Sequence, residues 1–201
     1  ILPDLVARVR NPIVLSAPCS TGQEAHSIAA VNHRFGASHI NVEGVDISRD
    51  VIEVAKGGRY DVADFWFASF AIPGGYSEFV FPDGKVNKLV MNRFLKPFTQ
   101  FRIADKVRET TNFSVGDLVN GTLQKEYDAI FSMNFLTLLN DEDMKKALDN
   151  LILHLKVGGY IILNNFERNV YGGTDATCDL DPEDNRLVSV GKYPERIYQK
   201  Q

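Results

Sequence analysis

Apolar residues recur along the chain with two spacings, one typical of buried strands and the other of amphipathic helices. Four segments have the length and pattern of strands: residues 13–17, 127–132 and 160–163 are mainly apolar, and residues 39–45 alternate apolar and polar positions. Three longer segments place apolar residues at three- and four-residue steps and predict helices: residues 23–35, 49–56 and 141–155. Glycine pairs at 57–58 and 158–159 are expected to end the second and the third helix.

The order of these segments predicts an α/β fold. Strand-like and helix-like segments alternate, which indicates a mostly parallel sheet with helices on both faces. Residues 186–199 predict two more strands around Gly191-Lys192-Tyr193-Pro194, an antiparallel hairpin at the edge of that sheet. Residues 65–105 break the pattern with aromatic residues and turns, and predict a small β-rich or irregular insertion. The chain, residues 1–201, is thus expected to form one domain that carries this insertion.

Composition and charge exclude several classes of protein. The net charge of −4 argues against a surface for nucleic acid, which requires clustered Lys and Arg. Cys19 and Cys178 are too few for a disulfide framework, so a cytoplasmic location is expected. No apolar run approaches the roughly 20 residues of a membrane span, so no membrane insertion is expected. The four histidines lack the spacing of metal ligands, and no metal is expected.

The first strand runs into the small residues of LSAPCSTGQE, at 15–24. A strand, a tight turn of small residues and a helix N-terminus form a site where a ligand can contact backbone. Asp46 lies at the end of the next strand, 24 residues after Gly22, where a carboxylate can accept hydrogen bonds from both hydroxyls of a ribose. The alternative is a tight strand-to-helix turn in which Asp46 only caps the helix that follows Ser48.

The pattern favours a nucleoside without phosphate. The sequence contains neither G-x-x-x-x-G-K-[ST] nor G-x-G-x-x-G, the motifs that bind nucleotide phosphates. Glu24, in the first turn of the following helix, would repel a phosphate and attract a cation. S-adenosylmethionine has a ribose, no phosphate and a cationic amino-acid part, so it fits these residues better than ATP, GTP or a dinucleotide.

Five segments in chain order resemble motifs of the chemotaxis-receptor (CheR-type) methyltransferases. The first two are LSAPCSTGQEAHSIA, similar to W-S-A-x-x-S-T-G-E-E-P-Y-S-[IL]-A, and VEGVDISRDVIEVAKGGRY with its Gly-x-Tyr end. The others are FRIADKVRETTNFSVGDL, YDAIFSMNFLTLL and LHLKVGGYIIL. The resemblance implies a Rossmann-like class I methyltransferase sheet and a divergent member that lacks the family's N-terminal helical domain. It further implies S-adenosylmethionine as the cofactor and S-adenosylhomocysteine as its product.

The resemblance also assigns cofactor contacts by position. It implies a cofactor loop, an acid for the amino group, an acid for the ribose, two residues beside the adenine and two below the sulfonium. The loop residues are Ala17, Cys19, Thr21 and Gly22, the acid for the amino group is Glu24, and the acid for the ribose is Asp46. Asp117 and Leu118 are the residues beside the adenine, and Asn134 and Phe135 those below the sulfonium. Leu118 and Phe135 have an alternative interpretation as core residues, and Asp117 as a helix N-cap. Cys19 is interpreted as a small packed residue rather than as a nucleophile.

The implied reaction is methylation of the carboxylate of a protein glutamate, with a receptor as the partner that carries it. An ionised carboxylate needs no general base, so no catalytic residue is assigned. Met133 and Leu138 stand where the family has Arg and Tyr beside the acceptor. This difference leaves two alternatives open: a methyltransferase for another protein or a small molecule, and a non-catalytic module that binds S-adenosylmethionine or S-adenosylhomocysteine.

Overall fold

The computed structural model describes residues 1–34, 40–61, 80–82, 100–121, 123–164, 185–190 and 195–201. The α-helices of these ranges are α1 (Leu2–Arg8), α2 (Gln23–Arg34), α3 (Arg49–Gly57), α4 (Asp105–Arg108) and α5 (Asp141–Leu153), with a 3₁₀ turn at Leu136–Leu138. The strands are β1 (Ile13–Ser16), β2 (Asn41–Asp46), β3 (Arg59–Asp61), β4 (Val80–Pro82), β5 (Gln100–Ile103), β6 (Thr111–Val115), β7 (Tyr127–Ser132), β8 (Leu155–Asn164), β9 (Leu187–Ser189) and β10 (Glu195–Lys200). No helix within these ranges is long and apolar enough to cross a membrane.

Seven of the described strands form the main sheet, in the order β6-β2-β1-β7-β8-β10-β9. The first five strands in this order are parallel, while β10 pairs antiparallel with both β8 and β9. This arrangement confirms the predicted mostly parallel sheet with an antiparallel C-terminal hairpin. The turn predicted within that hairpin, at 191–194, lies outside the described residues.

Helices cover both faces of the sheet, as predicted. Because side chains alternate along a strand, successive residues of β1 and β7 belong to different core clusters. Val14 and Ala129 lie in a cluster with residues of α1, α2 and α4, whereas Leu15 and Ile130 lie in another with residues of α5. The central strands are therefore apolar on both sides, which explains their continuous apolar runs.

The predicted helix over 141–155 is two residues too long. Helix α5 ends at Leu153, and Leu155 already pairs with Tyr127 as the first residue of β8. Lys200 fixes this boundary, since its Nζ donates hydrogen bonds to the carbonyls of Ile152 (2.8 Å) and Leu155 (2.6 Å). The glycine pair at 158–159 was expected to end the helix but lies inside β8, where the register with β7 shifts.

A second sheet of three antiparallel strands, in the order β3-β5-β4, follows α3. Gly58 ends α3 in the left-handed conformation (φ +58°), and β3 begins at the next residue. Of the predicted insertion at 65–105, residues 80–82 and 100–105 are described and contribute β4, β5 and the start of α4. The rest of the segment lies outside the described residues, so the insertion and the single-domain organisation stay predictions.

Candidate functional site

The loop between β1 and α2 lies in the middle of the C-terminal edge of the main sheet. The Ala17 N–H donates to the Phe131 carbonyl of β7 (2.9 Å), and the Cys19 N–H donates to the Val45 carbonyl of β2 (2.8 Å). The loop therefore extends the pairing of β1 with the strands on either side. The chain leaves β1 toward β2 on one side and reaches β7 on the other only later, so the loop lies at the topological switch point where such sheets bind ligands.

The small residues of this region are packed tightly against the protein itself. A Cβ at Gly22 would lie 2.7 Å from the Ala55 Cβ of α3 and 3.0 Å from the Phe113 ring. A Cβ at Gly44 would lie 2.5 Å from the same ring and 3.0 Å from Cys19 Sγ. Burial, and secondly the charge of a nearby carboxylate, raise the pKa of the Cys19 thiol to about 12, so it stays protonated and a poor nucleophile. Internal packing thus gives a sufficient reason for glycine at both positions.

Asp46 ends β2 and holds two backbone segments with its two carboxylate oxygens. Oδ2 accepts the N–H of Ser20 in the loop (2.9 Å), and Oδ1 accepts the N–H of Ser48 at the start of α3 (3.0 Å). The second contact is made to Ser48, the residue before α3, and not to an N–H of the first turn of the helix. A carboxylate has about four acceptor positions, so the two hydrogen bonds leave room for ribose hydroxyls.

Glu24, in the first turn of α2, is a partly buried carboxylate beside the end of β1. It accepts a hydrogen bond from the Ser16 hydroxyl (2.7 Å), and no Lys or Arg of the described residues forms an ion pair with it. Burial raises the pKa of Glu24 to about 7, against which the Ser16 hydrogen bond acts only in part. A cation bound beside this carboxylate would favour its ionised form, so the position is suited to an ammonium group.

Asp117 and Leu118 follow β6 at the same edge of the sheet. The Asp117 carboxylate accepts hydrogen bonds from the N–H groups of Val119 (2.9 Å) and Asn120 (3.2 Å), and a third from the side-chain amide of Asn120. The Asn120 side-chain hydrogen bond is the main reason that the pKa of Asp117 is lowered. No helix of the described residues begins here, so Asp117 closes a turn and is not a helix N-cap. Leu118 is 4% exposed and belongs to a core cluster, in agreement with its alternative interpretation.

Asn134 and Phe135 follow β7 and differ in their surroundings. Asn134 is exposed and adopts a left-handed backbone conformation (φ +57°), whereas Phe135 packs partly against the core. Leu138, on the acceptor side of the resemblance, is 74% exposed. Asn134 is thus an exposed polar residue two positions after the end of a buried strand, which is typical of a binding site and not of a core position.

Sequence reasoning missed three features of this edge. Ile47 and Val115 are 68% and 49% exposed, and both adjoin Asp46, because Asp46 pairs with Val115 across β2 and β6. The hydroxyl of Ser132 is buried at the end of β7 without a hydrogen-bond partner among the described residues. The Tyr60 hydroxyl donates to the Thr21 carbonyl of the loop (2.7 Å). An apolar residue next to the acid at a strand end was the available signal for Ile47.

All ten predicted site residues lie at or after the C-terminal ends of four neighbouring parallel strands. These strands are β6, β2, β1 and β7, and direct hydrogen bonds join the loop to Asp46 and Glu24 to the end of β1. The shared edge is what a parallel sheet imposes on residues that follow its strands. The grouping therefore agrees with the expected ligand site, while the contact made by each residue stays a prediction.

Comparison with known proteins places these residues in a family context. The family model described as CheR methyltransferase, SAM binding domain, matches residues 1–66, which include the loop, Glu24 and Asp46. The predicted resemblance to the CheR-type methyltransferases is confirmed. A chemotaxis protein methyltransferase of Vibrio parahaemolyticus is 26% identical over 186 residues, which are 87% of this chain and 60% of that protein. One of Listeria monocytogenes is 23% identical over 195 residues, 96% of this chain and 64% of that protein.

The matches cover only part of the length of the known proteins. The chain spans about 60% of the length of the first of these curated CheR-type relatives. Solved structures with a similar fold include the glycopeptide N-methyltransferase MtfA complexed with S-adenosyl-L-methionine. Its TM-score is 0.48 at 12% identity, and the match covers 85% of this chain and 51% of that one.

Proposed function

We propose that this chain binds S-adenosylmethionine and transfers its methyl group to the side-chain carboxylate of a glutamate in a receptor protein. The observation that carries the proposal is Glu24, a partly buried carboxylate with a raised pKa and no paired Lys or Arg among the described residues. It lies beside the loop that the CheR-type family model covers. The relatives named chemotaxis protein methyltransferase support the choice of acceptor.

The residues present fit this cofactor. Glu24 would hold the ammonium group, and Asp46 would accept hydrogen bonds from the ribose with the acceptor positions left by Ser20 and Ser48. Ile47 and Val115 offer an exposed apolar surface next to Asp46, suited to one face of an adenine ring. Two carboxylates so close to the loop would disfavour nucleotide phosphates, which agrees with a ligand that carries none.

Methyl transfer to a carboxylate requires little of the protein beyond the orientation of the two reactants. When bound, the cofactor supplies a methyl group on a positively charged sulfur that leaves readily. A glutamate carboxylate is ionised at neutral pH and attacks without a general base, so the loop and Asn134 need only align the two reactants. Effective molarities of about 10⁵–10⁸ M are attainable by orientation alone.

His26, on α2, has a structural role. His26 contacts the Ala55 carbonyl through Nε2 (3.1 Å) and the Thr111 hydroxyl through Nδ1 (3.3 Å). Burial lowers the pKa of His26 to about 4, so it is neutral at physiological pH and both of its nitrogens are occupied. This agrees with a reaction that requires no proton transfer.

Calorimetric titration with S-adenosylhomocysteine tests the cofactor part of the proposal. We expect one site per chain, with adenosine 5′-monophosphate binding far more weakly because its phosphate would face Glu24 and Asp46. A folded protein that binds neither S-adenosylmethionine nor S-adenosylhomocysteine would refute the assignment.

Methyl transfer tests the acceptor part. The chain is incubated with S-adenosylmethionine that carries a tritiated methyl group and with a receptor fragment that contains methylatable glutamates. We expect label that mild base releases as methanol, as a carboxyl ester requires, and no label when those glutamates are replaced by glutamine. Label in a base-stable product would show that the acceptor is not a carboxylate.

A further inference from the structure

A buried tyrosine of the small sheet contacts the loop of the candidate site. Tyr60, on β3, is 5% exposed, and its hydroxyl donates a hydrogen bond to the Thr21 carbonyl at 2.7 Å. The neighbouring residue, Ser20, donates its N–H to the Asp46 carboxylate at 2.9 Å. Two successive residues of the loop are therefore held from different strands, one by an acceptor on β2 and the other by a donor on β3.

The loop backbone needs such support. Ser20 has a φ of +48° and Gly22 a φ of +90°, so residues on both sides of Thr21 adopt left-handed conformations. A non-glycine residue such as Ser20 persists in this region only when surrounding contacts impose it. The hydrogen bond that Ser20 donates to Asp46 and the one that Thr21 accepts from Tyr60 are contacts of this kind.

The position of the Tyr60 hydroxyl is itself fixed by packing. The rings of Tyr60 and His26 pack edge-on with their centroids 6.2 Å apart, and the rings of His26 and Phe113 do so with their centroids 5.1 Å apart. Phe113 is the ring that leaves no room for a Cβ at Gly22 or Gly44. The backbone of Tyr60 pairs with β5 in the small sheet. The hydroxyl therefore reaches the loop from a buried residue whose ring is packed and whose backbone is paired.

We propose that Tyr60 is a positioning residue, whose hydroxyl keeps the loop in the conformation in which its backbone and Asp46 can meet the nucleoside. This inference rests on the proposed function. Without the hydrogen bond, the free loop would populate other conformations, and ligand affinity would fall by the fraction of competent molecules lost. The loss of one such hydrogen bond corresponds to a decrease in affinity of about three- to tenfold.

The test compares Tyr60→Phe with the matched variant Tyr127→Phe. Tyr127 is also buried (2% exposed), and its hydroxyl donates to the Glu43 carboxylate at 3.1 Å. It begins β7 and so lies at the opposite edge of the sheet from the loop. Each substitution removes one buried hydroxyl and keeps the ring. Hydrogen exchange of the free protein by mass spectrometry and calorimetric titration with S-adenosylhomocysteine are measured on both variants, with Tm as the measure of folding.

We expect faster exchange confined to residues 17–24 in Tyr60→Phe, with weaker binding of S-adenosylhomocysteine. Tyr127→Phe should lower Tm and leave both loop exchange and affinity at the wild-type level. Unchanged exchange or affinity in Tyr60→Phe, equal changes in the two variants, or loss of the fold would each overturn the inference. If the wild type fails to bind S-adenosylhomocysteine, the proposed function fails, while exchange of the free loop still reports whether Tyr60 holds it.

Discussion

Replacing Glu24 by glutamine should have opposite effects on stability and on ligand binding. The amide keeps the size of the side chain and an oxygen that can accept the Ser16 hydrogen bond, but it removes the charge. In the free protein that charge lowers the stability of the fold, because burial raises the pKa of Glu24 from 4.5 to about 7. In the complex the same charge would attract the ammonium group of the ligand.

The pKa shift gives the size and sign of the stability effect. The folded state holds the Glu24 proton more tightly than the unfolded state, so the free energy of unfolding falls as pH rises from 4.5 toward 7. Below pH 4.5 Glu24 is protonated in both states, and above pH 7 it is ionised in both. The decrease in the free energy of unfolding is therefore complete above pH 7. A shift of this size corresponds to about 3 kcal/mol. Glu24→Gln should therefore match the wild type near pH 4.5 and exceed its stability by up to about 3 kcal/mol at pH 8.

Urea unfolding at several pH values, combined with calorimetry, checks both effects. We expect the stability difference between Glu24→Gln and the wild type to grow across this pH range, while the variant binds S-adenosylhomocysteine at least about tenfold more weakly at pH 8. For the wild type, affinity should decrease as pH falls below 7, because Glu24 must then lose a proton before it can pair with the ligand. A variant that is less stable than the wild type at pH 8, or that binds equally well, would refute this reasoning.

Three further substitutions test individual positions. Asp46→Ala should lower affinity for S-adenosylhomocysteine at least about tenfold and leave the domain folded, and unchanged affinity by calorimetry would exclude Asp46 from the ribose. Asn134→Ala should reduce methyl transfer and lower Tm by only a few degrees, since Asn134 is exposed and alanine in its left-handed conformation costs about 1 kcal/mol; a large fall in Tm with normal activity would assign it a structural role. Gly22→Ala should destabilise the protein by about 1–3 kcal/mol in urea, because the added Cβ would meet Ala55, whereas Gly57→Ala adds a Cβ in open space and should not.

The elements that the sequence predicts well are those whose pattern is local. Strand β7 has its predicted bounds, Tyr127–Ser132, because its signal is a short, mainly apolar segment that can be identified without distant contacts. Helix α5 was extended too far because Leu155 fits helical spacing, while the contact that sets the boundary comes from Lys200, 45 residues away. Helices α1 and α4, of 7 and 4 residues, are too short for a periodic signal and were not predicted.

The candidate site likewise has residues that the sequence predicts and contacts that it does not. Asp46 could be singled out because it lies at the end of a strand-like segment, whereas Asp117 and Asn134 were assigned by the resemblance to the CheR-type motifs; parallel strands bring the three positions to one edge. The hydrogen bond from Tyr60 to the Thr21 carbonyl joins residues 39 apart in the chain and leaves no local pattern. The same holds for the packing of Phe113 against the loop.

The small residues after β1 and the acid Glu24 both contributed to the choice of S-adenosylmethionine, but they differ in weight as evidence. Small residues after β1 were interpreted as room for a ligand, yet glycine at position 22 is already required by the Phe113 ring and by Ala55 of α3. Glycine in such a turn is thus weak evidence for binding. Glu24 is stronger evidence, because the free fold gains nothing evident from a partly buried carboxylate with a raised pKa that no Lys or Arg of the described residues neutralises. A residue that lowers the stability of the free protein and would be neutralised by a cation is best explained by a ligand that brings one.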